Sequence, residues 1–203
     1  MFSVTVFFAA VAAILIAFAA LRLLQKQAGG RFSPRRLARC AVIAAVYVAL
    51  CLVLAPFSYG AVQVRIAEAL CLLPVFGAEY IVGVTLGCFL ANLFGSTILD
   101  VIFGTLATLL ACLVTCKLRH VRLKGLAIPA SLPPVFFNAV IVGAEITLFF
   151  TDYHAMSAPL WLLCLSNGIS VGVGELISCT VLGVALVKLI ESNAALRRAF
   201  TEA

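Results

Sequence analysis

Charge is what this sequence lacks. Lys, Arg, Asp and Glu supply 11% of its 203 residues, against roughly 25% in an ordinary globular protein. That is too little to cover a water-facing surface. Apolar residues supply 65%, and mean hydropathy is +1.21. A soluble domain is excluded, and the chain reads as an all-α, multi-pass integral membrane protein. A spanning helix takes about 20 residues, so six or seven spans fill the chain and leave no room for a second, soluble domain. Histidine is nearly absent: His120 and His154 are the two present, both in polar stretches, which argues against a zinc or iron centre. No GxxxxGK[ST] occurs, so the chain cannot hydrolyse ATP by a P-loop, and energy for pumping must come from elsewhere. CxxC spacing is missing as well. Cys40, Cys51, Cys71, Cys88, Cys112, Cys116, Cys164 and Cys179 are scattered through apolar runs and read as small hydrophobes.

What is present is a series of apolar runs separated by basic clusters. Residues 2–24 form the first; nothing basic precedes it, while Arg22 and Lys26 follow, so it reads as a retained span rather than a signal peptide. A second span covers 37–56 and ends at Pro56. The segment 63–77 carries Arg65 and Glu68 and is short for an independent span. Spans over 79–95 and 98–116 follow, then a basic, loop-like stretch over 117–130, and a span after Pro133-Pro134 that runs to Phe150. The last apolar run, about 160–190, would reach about 45 Å as one helix. It should therefore be tilted, or interrupted near Gly168, Gly172 and Gly174. The organisation predicted is an N-terminal span over 1–30, a membrane domain over 31–192 and a C-terminal tail over 193–203. Basic residues cluster at 22–39, at 117–124 and at Lys188, Arg197 and Arg198. Because cytoplasmic loops carry the excess of Lys and Arg, all three clusters should lie inside, with the C-terminus cytoplasmic and the loops 57–64 and 151–157 outside. Seven crossings, N-terminus out, satisfy this. The net charge of +6 is thus accounted for by topology, without nucleic acid.

Ionisable groups at membrane depth cost about 2.5 to 3.5 kcal/mol each on insertion scales, so each calls for a partner or a purpose. Arg65, Glu68, Asp100, Glu145 and Glu175 lie in or at the ends of apolar segments, with Asn92, Asn138 and Asn167 in the same spans. Asn138 and Glu145 are seven apart and Asn167 and Glu175 eight apart, which returns each pair to nearly one helix face. Together they predict a polar pocket opening outward. The match Gly168-Ile169-Ser170-Val171-Gly172 to GxSxG lies inside an apolar helix, without the strand-turn-helix setting of a nucleophile elbow. Ser170 also lies sixteen residues from His154, about 24 Å along a helix. Gly83-xxx-Gly87 and Gly168-xxx-Gly172 instead fit close helix packing. Ala41, Ala45 and Ala49 form a small-residue stripe that by spacing alone suits packing within the chain as well as an external partner.

Several separated blocks carry a resemblance. Ser58-Tyr59-Gly60, Gln63-Val64-Arg65-Ile66-Ala67-Glu68-Ala69-Leu70, Leu73-Pro74, Ala91-Asn92-Leu93-Phe94-Gly95, the run from Leu99-Asp100-Val101 to Thr108-Leu109, Pro133-Pro134-Val135-Phe136-Phe137-Asn138-Ala139 and Val173-Gly174-Glu175 resemble the QueT family. Its members are taken to be substrate-binding (S) components of energy-coupling-factor (ECF) transporters for queuosine precursors. The resemblance implies a six-helix core with one additional N-terminal transmembrane helix, a cell-membrane location and capture of substrate from outside. It further implies release inward driven by a shared transmembrane coupling subunit and two ATPase subunits, without a cofactor or catalytic residue. It moves Ala41, Ala45 and Ala49 towards the coupling subunit, and makes Arg65, Glu68, Asn92, Asp100, Asn138, Glu145, Asn167 and Glu175 the candidate substrate-binding set.

The pocket chemistry suits such a substrate. A carboxylate can accept both N1–H and the exocyclic amine of a 7-deazaguanine, Asn can read the neighbouring carbonyl and ring edge, and a second carboxylate can pair with an aminomethyl cation. The sequence assigns none of these roles to an individual carboxylate. Tyr59, Tyr153 and Trp161 are available for stacking, with interfacial anchoring the equal alternative for Trp161. The competing readings are an S component for another small molecule such as a vitamin, an intramembrane enzyme, and a structural subunit. An enzyme needs a nucleophile, base or metal constellation, which the two histidines do not supply.

Overall fold

The computed structural model describes residues 33–54, 65–151 and 158–201. The predicted first span, most of the 22–39 cluster, the 57–64 loop and Tyr59, Tyr153 and His154 lie outside the described residues.

Every apolar run within those residues is helical. Helix α1 is Pro34–Val53, started by Ser33, whose hydroxyl accepts from the Arg36 N–H, with Pro34 at the first helical position. A 3₁₀ segment, Ile66–Val75, follows. Helices α2 (Glu79–Gly95) and α3 (Ile98–Lys117) are joined by a tight turn in which Thr97 caps α3 by accepting from the Asp100 N–H. Helix α4 (Ile128–Glu145) continues into a π turn, Ile146–Phe150. Helix α5 (Leu160–Glu175) continues through a π stretch, Leu176–Gly183, into α6 (Val184–Ser192). Helix α7 is Ala194–Thr201.

Four of these helical runs, Pro34–Val53, Ile98–Lys117, Ile128–Phe150 and Leu160–Ser192, are long and apolar enough to cross a membrane. Consecutive long helices α1 to α5 pack side by side, and they enclose the 3₁₀ segment, which touches α1, α2, α3, α4 and the π stretch. All residues from Ala67 to Val75 are buried. The 3₁₀ form has a rise of about 2.0 Å per residue against 1.5 Å in an α-helix, so ten residues cover about 20 Å. This is how a segment too short for an α-helical span still runs most of the way between the two poles of the bundle. The outer surface is apolar: Val53, Phe94, Phe136, Trp161 and Val181 are all more than 60% exposed, a distribution suited to lipid.

Helix α4 begins at Ile128, before Pro133-Pro134 rather than after them. Pro134 has no N–H for the carbonyl of Ala130, and Thr115 Oγ1 of α3 donates to that carbonyl instead, at 2.9 Å. A neighbouring helix restores the bond that proline removes. The interruption expected near Gly168, Gly172 and Gly174 falls further on, at Leu176–Gly183. The glycines serve close approach: a Cβ on Gly143 would lie 2.6 Å from Gly168 Cα, and one on Gly87 would lie 2.7 Å from Tyr47 Cβ. Only glycine lets α4 reach α5, and α2 reach α1, at these crossings.

Opposite charges tie one pole together. Arg39 pairs with Glu79 at 3.9 Å, and Arg122 with Glu191 at 2.6 Å. The α3–α4 connection turns through Lys124 and Gly125, both at positive φ. Residues 193–203, set apart in the sequence as a tail, contain α7, which folds back: Phe200 packs on Phe76 and Tyr80, and Tyr80 OH donates to the Phe200 carbonyl at 2.9 Å. The alanine stripe faces away from the other described helices. Ala41, Ala45 and Ala49 are exposed, whereas Cys40, Ile43, Ala44 and Tyr47 form the buried face of α1.

Candidate functional site

The polar residues singled out in the sequence converge near the pole opposite the basic one. Arg65 immediately precedes the 3₁₀ segment and pairs with Asp100 in the first turn of α3, at 3.9 Å. Asp100 also accepts from the Ser96 hydroxyl. Arg65, Asn138 and Glu175 line a cavity of about 10 Å³, walled by Val142 and Val171, with room for roughly one water molecule. Glu145, at the last regular turn of α4, is 2% exposed and feels the charges of Asp100 and Arg65.

The carboxylates differ in how well they are satisfied. Glu68, 1% exposed, accepts from Tyr47 OH at 2.5 Å and from Cys71 Sγ at 2.8 Å. Glu175, 4% exposed, accepts from Cys179 Sγ at 3.2 Å. Both oxygens of Glu145 lack a hydrogen-bond partner, as does the Asn138 amide nitrogen. An unmade buried hydrogen bond costs about 1 to 3 kcal/mol, more for a charged group. Groups left in that condition are suited to a ligand that completes them: Glu145 offers acceptors and Asn138 donors, beside the Arg65 guanidinium that pairs with Asp100.

Both Asn92 and Asn167 have their side chains engaged in bracing one helix against the next. Asn92 donates to the Asp100 carbonyl at 3.1 Å, fixing α2 to the start of α3, and Asn167 of α5 donates to Thr147 Oγ1 in the π turn at 3.0 Å. Asn167 and Glu175 share a helix, yet Asn167 braces α4 while Glu175 faces the cavity.

Tyr47, Cys71 and Cys179 were not legible as members of the site. Reading the cysteines as small hydrophobes is correct for size and wrong for chemistry. Cys71 and Cys179 are hydrogen-bond donors to carboxylates, and Cys88 accepts from Thr108 at 3.2 Å. In an apolar interior a thiol is a cheap donor to bury. The signal was spacing: Cys71 is three residues after Glu68 and Cys179 four after Glu175, so each shares a face with its carboxylate. One oxygen each from Glu68 and Glu175 and the Cys179 sulfur lie within 4.8 Å of one another, a group that among the described residues could hold a cation. Trp161 is 65% exposed and lies with Ala139 and Gly168 along an apolar groove between α4 and α5, away from the polar cavity.

The profile of the family described as QueT transporter matches residues 37–192. A 71-residue stretch is 42% identical to the queuosine precursor transporter QueT of Lactococcus lactis subsp. cremoris (strain MG1363), covering 34% of this chain and 42% of that protein. The alignment thus spans about two fifths of that relative's length. No solved structure matches the chain.

Proposed function

The chain belongs to the QueT transporter family, and from that premise we propose that it captures a queuosine precursor, a 7-deazaguanine, as the substrate-binding component of an ECF-type importer. The observation that carries the reading is the cluster of polar groups at one pole: Glu145 and Asn138, buried with the Glu145 oxygens and the Asn138 amide nitrogen lacking a hydrogen-bond partner, beside Arg65 and Glu175, which line the cavity with Asn138. A 7-deazaguanine has adjacent N–H donors for a carboxylate and a ring carbonyl for Asn or Arg. The other members of the set position these: Asp100 holds Arg65, and Glu68 packs against Glu175.

The cavity of about 10 Å³ is far smaller than a bicyclic base, so substrate entry requires the helices around it to part. The basic pole, with Arg39, Lys117, Arg122 and Lys188, is the cytoplasmic one by the excess of positive charge. The site then lies in the outer half and the C-terminus inside, which suits capture from outside. Without a P-loop the chain draws its energy from partners, a transmembrane coupling subunit and two ATPase subunits. The alanine stripe on α1, exposed and set back to back with the buried face that packs on α2, supports a partner there over packing against the described helices. The role is transport rather than catalysis.

Binding of radiolabelled 7-aminomethyl-7-deazaguanine to the purified chain tests the reading, with unlabelled 7-deazaguanine, guanine and vitamins as competitors. Saturable binding displaced by 7-deazaguanines and not by vitamins is the expected result. No saturable binding, or displacement by a vitamin, overturns it.

A further inference from the structure

Resting on the substrate class proposed above, we infer that Glu145 is the specificity-determining residue of the site, and that it reads a positive charge on the substrate. The argument starts from an inventory of charge. Four carboxylates gather about one guanidinium, Arg65: Asp100 pairs with it, Glu175 lines the same cavity and lies against Glu68, and Glu145 feels the charges of Asp100 and Arg65. Arg65 is taken up by Asp100 at 3.9 Å, Glu68 by Tyr47 and Cys71, and Glu175 by Cys179. Glu145 is 2% exposed and neither of its oxygens has a donor.

A buried carboxylate beside another acid, with the nearby cation already engaged, is completed by a donor that brings its own charge. A primary ammonium does this: it has three donors and no acceptor, and its hydrogen bonds to a carboxylate are charge-assisted. The backbone supports a ligand role. The α4 helix changes to a π turn at Ile146, directly after Glu145, and that turn is held by Thr147 Oγ1 on the Gly143 carbonyl and by Asn167 from α5. The carboxylate thus sits at the edge of a braced, widened turn, the kind of irregularity found frequently at functional sites. The ring is left to the groups that line the cavity: the Glu175 oxygen not bonded to Cys179 for its donor edge, and the unpartnered Asn138 amide for its carbonyl. The substituent at the 7-position then falls to Glu145.

The test compares two 7-deazaguanines that differ in that substituent, the aminomethyl form, cationic at neutral pH, and the cyano form, which is neutral, by calorimetry on the purified full chain. Wild type should favour the aminomethyl form. The change Glu145→Gln should weaken aminomethyl binding about 10- to 150-fold, the worth of a hydrogen bond to a charged group, while binding of the cyano form stays within about threefold. Retained cyano binding shows that the variant is folded; should E145Q not purify in folded form, E145S carries the same expectation. Equal affinity of wild type for the two forms, or equal loss of both in the variants, overturns the Glu145 assignment alone. Wild type that binds neither form overturns the substrate reading on which it rests.

Discussion

The bond from Tyr47 to Glu68 invites a direct perturbation. Both residues are 1% exposed, and Tyr47 OH donates to Glu68 Oε1 at 2.5 Å while Cys71 donates to Oε2. The change Tyr47→Phe removes one of those two donors and otherwise leaves the ring packed against α2. A buried acceptor deprived of its donor costs about 1 to 3 kcal/mol, and hydrogen bonds in membrane proteins have measured about 0.6 on average and 1.7 at most. The Glu68 site lies within protein rather than against lipid, so about 1 to 2 kcal/mol is the expectation. For a chain of 150 to 250 residues each kcal/mol moves Tm by about 2 to 4 °C. Tyr47→Phe should therefore lower the apparent Tm by roughly 2 to 8 °C, measured as loss of the monodisperse peak after heating in detergent without substrate. The double variant Y47F/E68Q should cost less than the sum of the single changes by at least about 0.5 kcal/mol, since groups in contact couple. A Tyr47→Phe protein with unchanged Tm, or strict additivity in the cycle, would refute the claim that this bond locks α1 to the 3₁₀ segment.

Other perturbations separate packing from partner contact. Gly143→Ala puts a methyl 2.6 Å from Gly168 Cα, whereas Gly172→Ala meets Ala139 Cβ at an ordinary 3.5 Å. Overpacking costs about 1 to 3 kcal/mol, so in the same heating assay the first change should lower Tm by several degrees and the second by little; equal effects would contradict the crossing geometry. Ala45→Trp should abolish cellular uptake and co-purification with the proposed coupling subunit while leaving substrate binding by the isolated chain intact, and loss of binding too would place the stripe in internal packing. A reporter fused at Lys124 should be active only if it senses the cytoplasm, and activity outside would reverse the orientation.

The fold was largely legible because lipid imposes coarse rules. Apolar runs of known length, bounded by Pro56 and the basic clusters, lead to the helical runs at 34–53, 79–95, 98–117 and 160–192 within a few residues. The start of α4 was missed because proline is read as a stop, and the compensating donor, Thr115, lies on another helix. The site was legible as a composition and not as an arrangement. Burial cost alone selects Arg65, Glu68, Asp100, Glu145 and Glu175, but which of them remains unsatisfied depends on Tyr47, Cys71 and Cys179, whose donors look apolar in a hydropathy reading. Asn92 and Asn167 show the converse limit. Their cost of burial was real, yet bonds to a backbone carbonyl and a threonine meet it.

What periodicity could not reveal is that none of the three glutamates buried near the cavity sits in uninterrupted α-helix. Glu68 lies in the first turn of a ten-residue 3₁₀ segment, and Glu145 and Glu175 are each the last residue before a switch from α to π. A helix read at 100° per residue assumes one register from end to end; a π stretch adds residues to the turn and shifts the register beyond it. The single S–H of Cys179, inside the π stretch, is shared between Glu175 and the Glu68 carbonyl, each 3.2 Å from the sulfur, so the widened turn of one element is sealed by the tightened turn of another. Irregular backbone is tolerated at membrane depth where it is buried in protein or lines a cavity. Here it does both, which places the most easily rearranged backbone of the bundle directly beside the carboxylates, where the closed cavity would have to open to admit a base.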